Sequence, residues 1–156
     1  MFCFALYSAA HAIQQAYRPL LDELGLTYPQ YLVMTTLWSA KTPLTVGGIG
    51  KEVHLDSGTL TPLIKRLESA GMVKRSRDLE DERQVRVALT ENGRALEVRA
   101  ADIPACIRDM TGLGNHTLGK LRTEIAEIAA YLRIAAEDAG ETATRKKRRG
   151  EKSGQN

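Results

Sequence analysis

Apolar residues recur at helical spacing from the start of the chain, at Phe2, Leu6, Ala9, Ile13, Tyr17, Leu20, Leu21 and Leu24, predicting a helix that Gly25 stops. Thr27 can cap a second helix, with Pro29 in its first turn and an apolar face through Tyr31, Leu32, Met34, Thr35 and Trp38. Thr45 then precedes VGGIGKEV, a short segment whose glycines require packing to hold it as a helix. In the next stretch, capped by Asp56 or Ser57, Leu60, Leu63, Ile64 and Leu67 mark one buried face. Pro62 inside that helix predicts an irregular second turn, because proline removes a backbone donor.

Beyond Gly71 the period changes. MVKRSR reads as a strand, DLEDER as a loop, and QVRVALT alternates with Val85, Val87 and Leu89 on one side, so the three make a hairpin. Thr90 and Gly93 open a further helix reaching about Ala101, and Pro104 bends or restarts it near Cys106. From about Leu118 to Ala136, Leu118, Leu121, Ile125, Ile128, Leu132 and Ala135 step by three and four, a seam that either docks on the body of the chain or, as favoured here, pairs with a second copy. The fold class is mainly α with a small β-hairpin, a winged helix-turn-helix in one domain over residues 1–138. Its reading core spans about 28–90, and its dimerisation helices about 2–24 and 91–138.

Composition adds less than the pattern. A chain of 156 residues, 43% of them hydrophobic, is long enough for one cored domain. Two cysteines are too few for a secreted disulfide scaffold, and with three scattered histidines they form no metal-ligand spacing, so no cofactor or metal is expected. FCFALYSAA resembles a leader superficially, but no positive segment precedes it and its apolar period continues; a cytoplasmic protein is expected. No apolar run is long enough for a membrane span. The net charge of +3 divides unevenly: residues 140–156 hold six basic residues against two acidic, a net of +4, which leaves the body at −1. The tail over 139–156 therefore reads as a disordered basic segment, either solubilising or adding phosphate attraction.

A helix whose outer face is hydroxyl-rich and basic, followed at once by a basic hairpin, suits groove reading in duplex DNA. Ser57, Thr59, Thr61, Lys65 and Arg66 form that face, Arg75 and Arg77 lie on the first strand, and Arg83 sits at the hairpin tip, where it could enter the minor groove. A polar outer face is equally compatible with ordinary solvation, and a winged helix can bind protein instead of DNA.

Cys3 raises a separate question. A free cysteine is often just a small buried hydrophobe. Yet a helix N-terminus favours a thiolate, Cys3 falls in the first turn of the first helix, and Tyr7 follows one turn later on the same face. Tyrosine hydroxyls can donate to a thiolate within an apolar pocket. Tyr17 and Tyr28 are too distant in sequence to be local partners of Cys3, so they are either core aromatics or reach it through folding or a second subunit.

The segments LTYPQYLVMTTLW, LDSGTLTPLIKRLESAG and DERQV through LTENG resemble the MarR family of bacterial repressors and, with CFALY, its organic hydroperoxide sensors of the OhrR type. The resemblance covers about residues 2–110; beyond residue 112 only the helical pattern carries over. It implies a homodimer with interlocking terminal helices and a recognition helix over 57–70. It also implies a wing arginine at Arg83 oriented by Asp81, and a pseudo-palindromic DNA operator. It further implies that oxidation of Cys3 by an organic hydroperoxide releases DNA, with Tyr17 and Tyr28 as hydrogen-bond partners of the thiol and Tyr7 as a pocket residue. Cys106 falls where two-cysteine members carry a resolving residue from the other subunit; a small cellular thiol is the alternative. Members usually carry a further stretch before CFALY, so either the chain extends upstream or its first helix is short. Two other functions stay open: a MarR-type repressor released by a phenolic or other aromatic ligand, and a thiol peroxidase. The enzyme is disfavoured because Cys3 has no local second cysteine and no Arg/Glu set to activate a peroxide.

Overall fold

A computed structural model describes the backbone of residues 1–78 and 81–153, with side chains as far as residue 140. Apart from β1, its elements follow the expected order: α1 (Phe2–Asp22), α2 (Tyr28–Ser39), β1 (Leu44–Thr45), α3 (Val46–Val53), α4 (Ser57–Ser69), β2 (Val73–Arg77), β3 (Val85–Leu89), α5 (Glu91–Ala100), α6 (Ile103–Met110) and α7 (Asn115–Ser153). Residues 1–111 form one compact unit and residues from Gly112 a second.

Local chemistry starts most of these helices. Thr27 closes a capping box with Gln30 at the head of α2. The Thr45 hydroxyl accepts the Gly48 N–H at 3.0 Å, and Thr90 accepts the Gly93 N–H at 3.0 Å. At α4 the cap is Asp56, whose carboxylate accepts the Thr59 N–H at 2.9 Å. Hydrogen bonding from Thr59, first through its hydroxyl and then through its N–H, holds the Asp56 carboxyl below its ordinary range. Thr45 enters α3 from extended backbone, and α3 ends at His54 in the left-handed region at φ 54°.

Three features depart from the sequence reading. The helix α4 runs unbroken through Pro62, since the carbonyl deprived of a donor, on exposed Gly58, can turn to water. A two-residue strand, β1, joins the hairpin, making a three-stranded antiparallel sheet in the order β1-β3-β2 with Leu44 opposite Val87 and Arg75 opposite Val87 on the other side. And α7 continues to Ser153, beyond the Ala136 end and into the segment expected to be disordered. Ala, Glu, Lys and Arg, which dominate it, are strong helix formers.

The core lies between α2, α3, α4 and the sheet. Val33, Met34, Ile49, Ile64, Leu67 and Val87 are fully buried in one cluster that also takes in Leu21 of α1 and Ile103 of α6. α2 is its centre: Tyr31, Val33, Met34 and Leu37 are all buried, so the helix is wrapped on more than the one face expected. Burying such side chains contributes about 1.5–3 kcal/mol each. By contrast the first half of α1 holds nothing down: Phe2, Phe4, Tyr7 and Ile13 are exposed.

Candidate nucleic-acid interface and thiol site

The reading face is built on α4. With Leu60, Leu63, Ile64 and Leu67 turned into the core, Ser57, Thr59, Lys65 and Arg66 are left exposed and Thr61 half-buried. Not every polar group there is free to meet a base. The Thr59 hydroxyl donates to Asp56 at 2.8 Å and so belongs to the cap.

The hairpin stands beside this helix and is tied to it. Glu68 near the end of α4 accepts the Arg75 N–H at 3.1 Å and its Nε at 2.7 Å, so Arg75 is an anchor of the wing as well as a cation. That hydrogen bonding holds the Glu68 carboxyl below its usual range. Arg77 and Arg83 are exposed. At the tip, Asp81 accepts the Arg83 N–H at 3.1 Å and the Gln84 Nε2 at 3.1 Å, so it holds the backbone at Arg83 and a neighbouring amide. Between wing, α4 and the start of α3 lies a cleft of about 360 Å³, which brings Thr61, Arg75 and Arg83 to one place with Thr45, Ile64 and Gln84.

Two residues missed by the sequence reading set the base of the wing. Asp78, only 5% exposed, receives Arg86 Nε in an ion pair, and Arg86 Nη1 reaches the Pro43 carbonyl at 3.1 Å. The QVRVALT alternation marked Arg86 as merely outward-facing, and nothing local pairs it with residue 43.

The thiol site divides in two. Cys3 is exposed in the first turn of α1, with Tyr7 one turn on and also exposed. Tyr7 stacks in parallel over His11 at 6.4 Å, and His11 meets Gln15 at 3.1 Å, extending a polar stripe along the same helix face. Tyr17 and Tyr28 come together elsewhere, their rings 4.9 Å apart, with Tyr31 at 5.6 Å from Tyr17 and Trp38 at 6.1 Å from Tyr31. Burial, reinforced by Tyr31 and Tyr28, pushes the Tyr17 phenol up to about 12; burial likewise raises Tyr28 and Tyr31. At neutral pH all three are therefore protonated donors, which is the state that could stabilise an anion. Tyr31 was read from sequence only as core.

Fourteen residues of one helix separate Cys3 from Tyr17, about 21 Å at 1.5 Å per residue. Within one chain the thiol does not meet these phenols. Cys106, half-buried on α6, is a free thiol too. Arg99 Nη2 donates to the Glu23 carbonyl at 2.8 Å, fastening the end of α5 to the tail of α1, whereas Cys3 stands at its head.

The family model described as "Transcriptional regulator SarA/Rot" matches residues 15–97. The organic hydroperoxide resistance transcriptional regulator of Bacillus subtilis is 44% identical over 79% of this chain and 83% of its own length. The chain belongs to the MarR family, in its OhrR branch. The HTH-type transcriptional regulator TtmR of Methylorubrum extorquens is 49% identical over 82% of this chain and 64% of its own length. Among solved structures, reduced AbfR bound to DNA superposes with a TM-score of 0.71 at 35% identity, covering 84% of this chain and 91% of that one. AbfR is a protein of Staphylococcus epidermidis. Membership of the MarR family accounts for the winged helix-turn-helix and for the three-stranded wing sheet. Among the described residues no helix is long and apolar enough to cross a membrane.

Proposed function

We propose that this chain is a cytoplasmic, homodimeric transcriptional repressor that binds a pseudo-palindromic operator and releases it when an organic hydroperoxide oxidises Cys3. The observation that carries the reading is the exposed Cys3 at the head of α1 in a chain so close to an organic hydroperoxide resistance regulator. Recognition rests on Ser57, Thr61, Lys65 and Arg66 of α4 for the major groove, and on Arg77 and Arg83 of the wing for backbone and minor groove. A dimer gives the bare apolar head of α1 something to cover it. It also lets one subunit's Cys3 meet the other's Tyr17 and Tyr28, which a single chain holds apart.

The chemistry balances without a cofactor. The Cys3 thiolate attacks the terminal peroxide oxygen, the O–O bond breaks, the sulfur is oxidised to sulfenate, and the peroxide leaves as an alcohol after taking up a proton. A second thiol then displaces water from the sulfenic acid to give a disulfide. Cys106 of the other subunit fits that part better than Cys106 of the same chain, because Ile103 of α6 packs in the core with Leu21 at the far end of α1 from Cys3.

The test is DNA release. A duplex selected from a random pool by the wild-type protein should be freed by tert-butyl hydroperoxide from wild type and retained by Cys3→Ser. Equal release from both would sink the sensing role. The cleft beside Arg75 and Arg83 supports a second reading, release by a phenolic ligand, which Cys3→Ser would leave intact.

A further inference from the structure

The wing tip has little core of its own. Asp81, Glu82, Arg83 and Gln84 are exposed, and Val87 is the residue of β3 that is fully buried. An arginine placed there can reach a groove at a defined position only if polar contacts fix the tip. We propose that Asp78 and Arg86 are positioning residues for DNA recognition, locking the base of the wing to the start of the helix-turn-helix so that Arg83 is presented at a fixed place relative to α4.

The connection is continuous. The Pro43 carbonyl, one residue before β1, accepts Arg86 Nη1 at 3.1 Å; β1 leads directly into α3, the first helix of the reading unit. The same guanidinium donates through Nε to buried Asp78. Asp78 closes the hairpin as well: its N–H donates to the Gln84 carbonyl at 2.9 Å, and its other carboxylate oxygen accepts the Asp81 N–H at 3.2 Å. Asp81 in turn accepts the Arg83 N–H. A buried carboxylate that loses its cation is left uncompensated, so the pair resists being pulled apart, and the planar guanidinium fixes two directions at once.

The inference rests on the DNA-binding reading and can fail separately from it. The experiment uses the full-length protein and the duplex it selects from a random pool. Arg83→Ala and Asp78→Asn should each weaken binding about tenfold or more, while the double variant should be no more than about threefold weaker than Arg83→Ala alone. Dimer mass and thermal unfolding, read alongside, show whether Asp78→Asn is folded; if it is not, Arg86→Lys, which keeps the charge but loses the fork, must show the same non-additivity. Unchanged affinity in the folded variant, or losses that simply add, would overturn the positioning role. If wild type selects no duplex, the DNA-binding reading falls and this inference with it.

Discussion

Gly93 lies in the LTENG segment, in the first turn of α5, and its replacement by alanine isolates a contact between α5 and the chain entering the wing. A Cβ built there would stand 2.0 Å from the Met72 carbonyl oxygen, 3.0 Å from its carbon and 3.3 Å from Leu89 Cδ2. Gly93 does not have positive φ, so the backbone itself would accept alanine. In a helix free of neighbours the change would stabilise by about 1 kcal/mol. Here the Met72 carbonyl must retreat by about 1 Å to reach the closest approach that real side chains show, and it is not free to do so. It accepts the Thr90 N–H at 3.1 Å and the Thr90 hydroxyl at 3.0 Å, while the Gly93 carbonyl accepts Trp38 Nε1 at 2.8 Å. Overpacking costs about 1–3 kcal/mol, and weakening one or two of these hydrogen bonds costs about 1 kcal/mol each. Offset by the helix gain, Gly93→Ala should destabilise by about 1–4 kcal/mol, a large share of the roughly 5–15 kcal/mol of a typical domain. Circular dichroism during urea and thermal unfolding, at one fixed protein concentration, measures it; the midpoint should fall by about 2–16 °C. A neutral or stabilised variant would show that α5 does not press on Met72 and would refute the reasoning.

The Tyr17 phenol, raised to about 12 against an unfolded value near 10, makes folding stability pH-dependent at the alkaline end. The unfolded chain loses this proton first, so the contribution is complete below about pH 10 and disappears as pH rises towards 12; Tyr17→Phe should flatten that part of the curve, and an unchanged slope would discount the phenol. For the thiol chemistry, hydroperoxide-treated wild type should run as a disulfide-linked dimer on a non-reducing gel and Cys106→Ser as a monomer. A crosslink that survives in Cys106→Ser would remove Cys106 as the resolving thiol.

How much of this was legible beforehand depends on the range of the interaction. Thr27, Thr45, Asp56 and Thr90 cap helices through hydrogen bonds spanning three residues, and the sequence pattern placed those starts well. The buried face of α4 was likewise visible, because one periodic stripe meets one core. The extent of α2's burial was not, since a helix covered on several sides loses the amphipathic contrast that a pattern reveals. Nor was β1, a two-residue strand created by its partner rather than by its own propensity.

By itself, then, the sequence determined the order of elements, the polar face of α4, the position of Arg83 and the presence of a thiol in the first helical turn. Those are short-range properties of residue type and spacing. Only the tertiary structure decided that Tyr17, Tyr28 and Tyr31 share one cluster and that Arg86 binds a carbonyl 43 residues away. Such contacts depend on how distant segments pack, and pairing across those distances leaves no periodic trace in the chain.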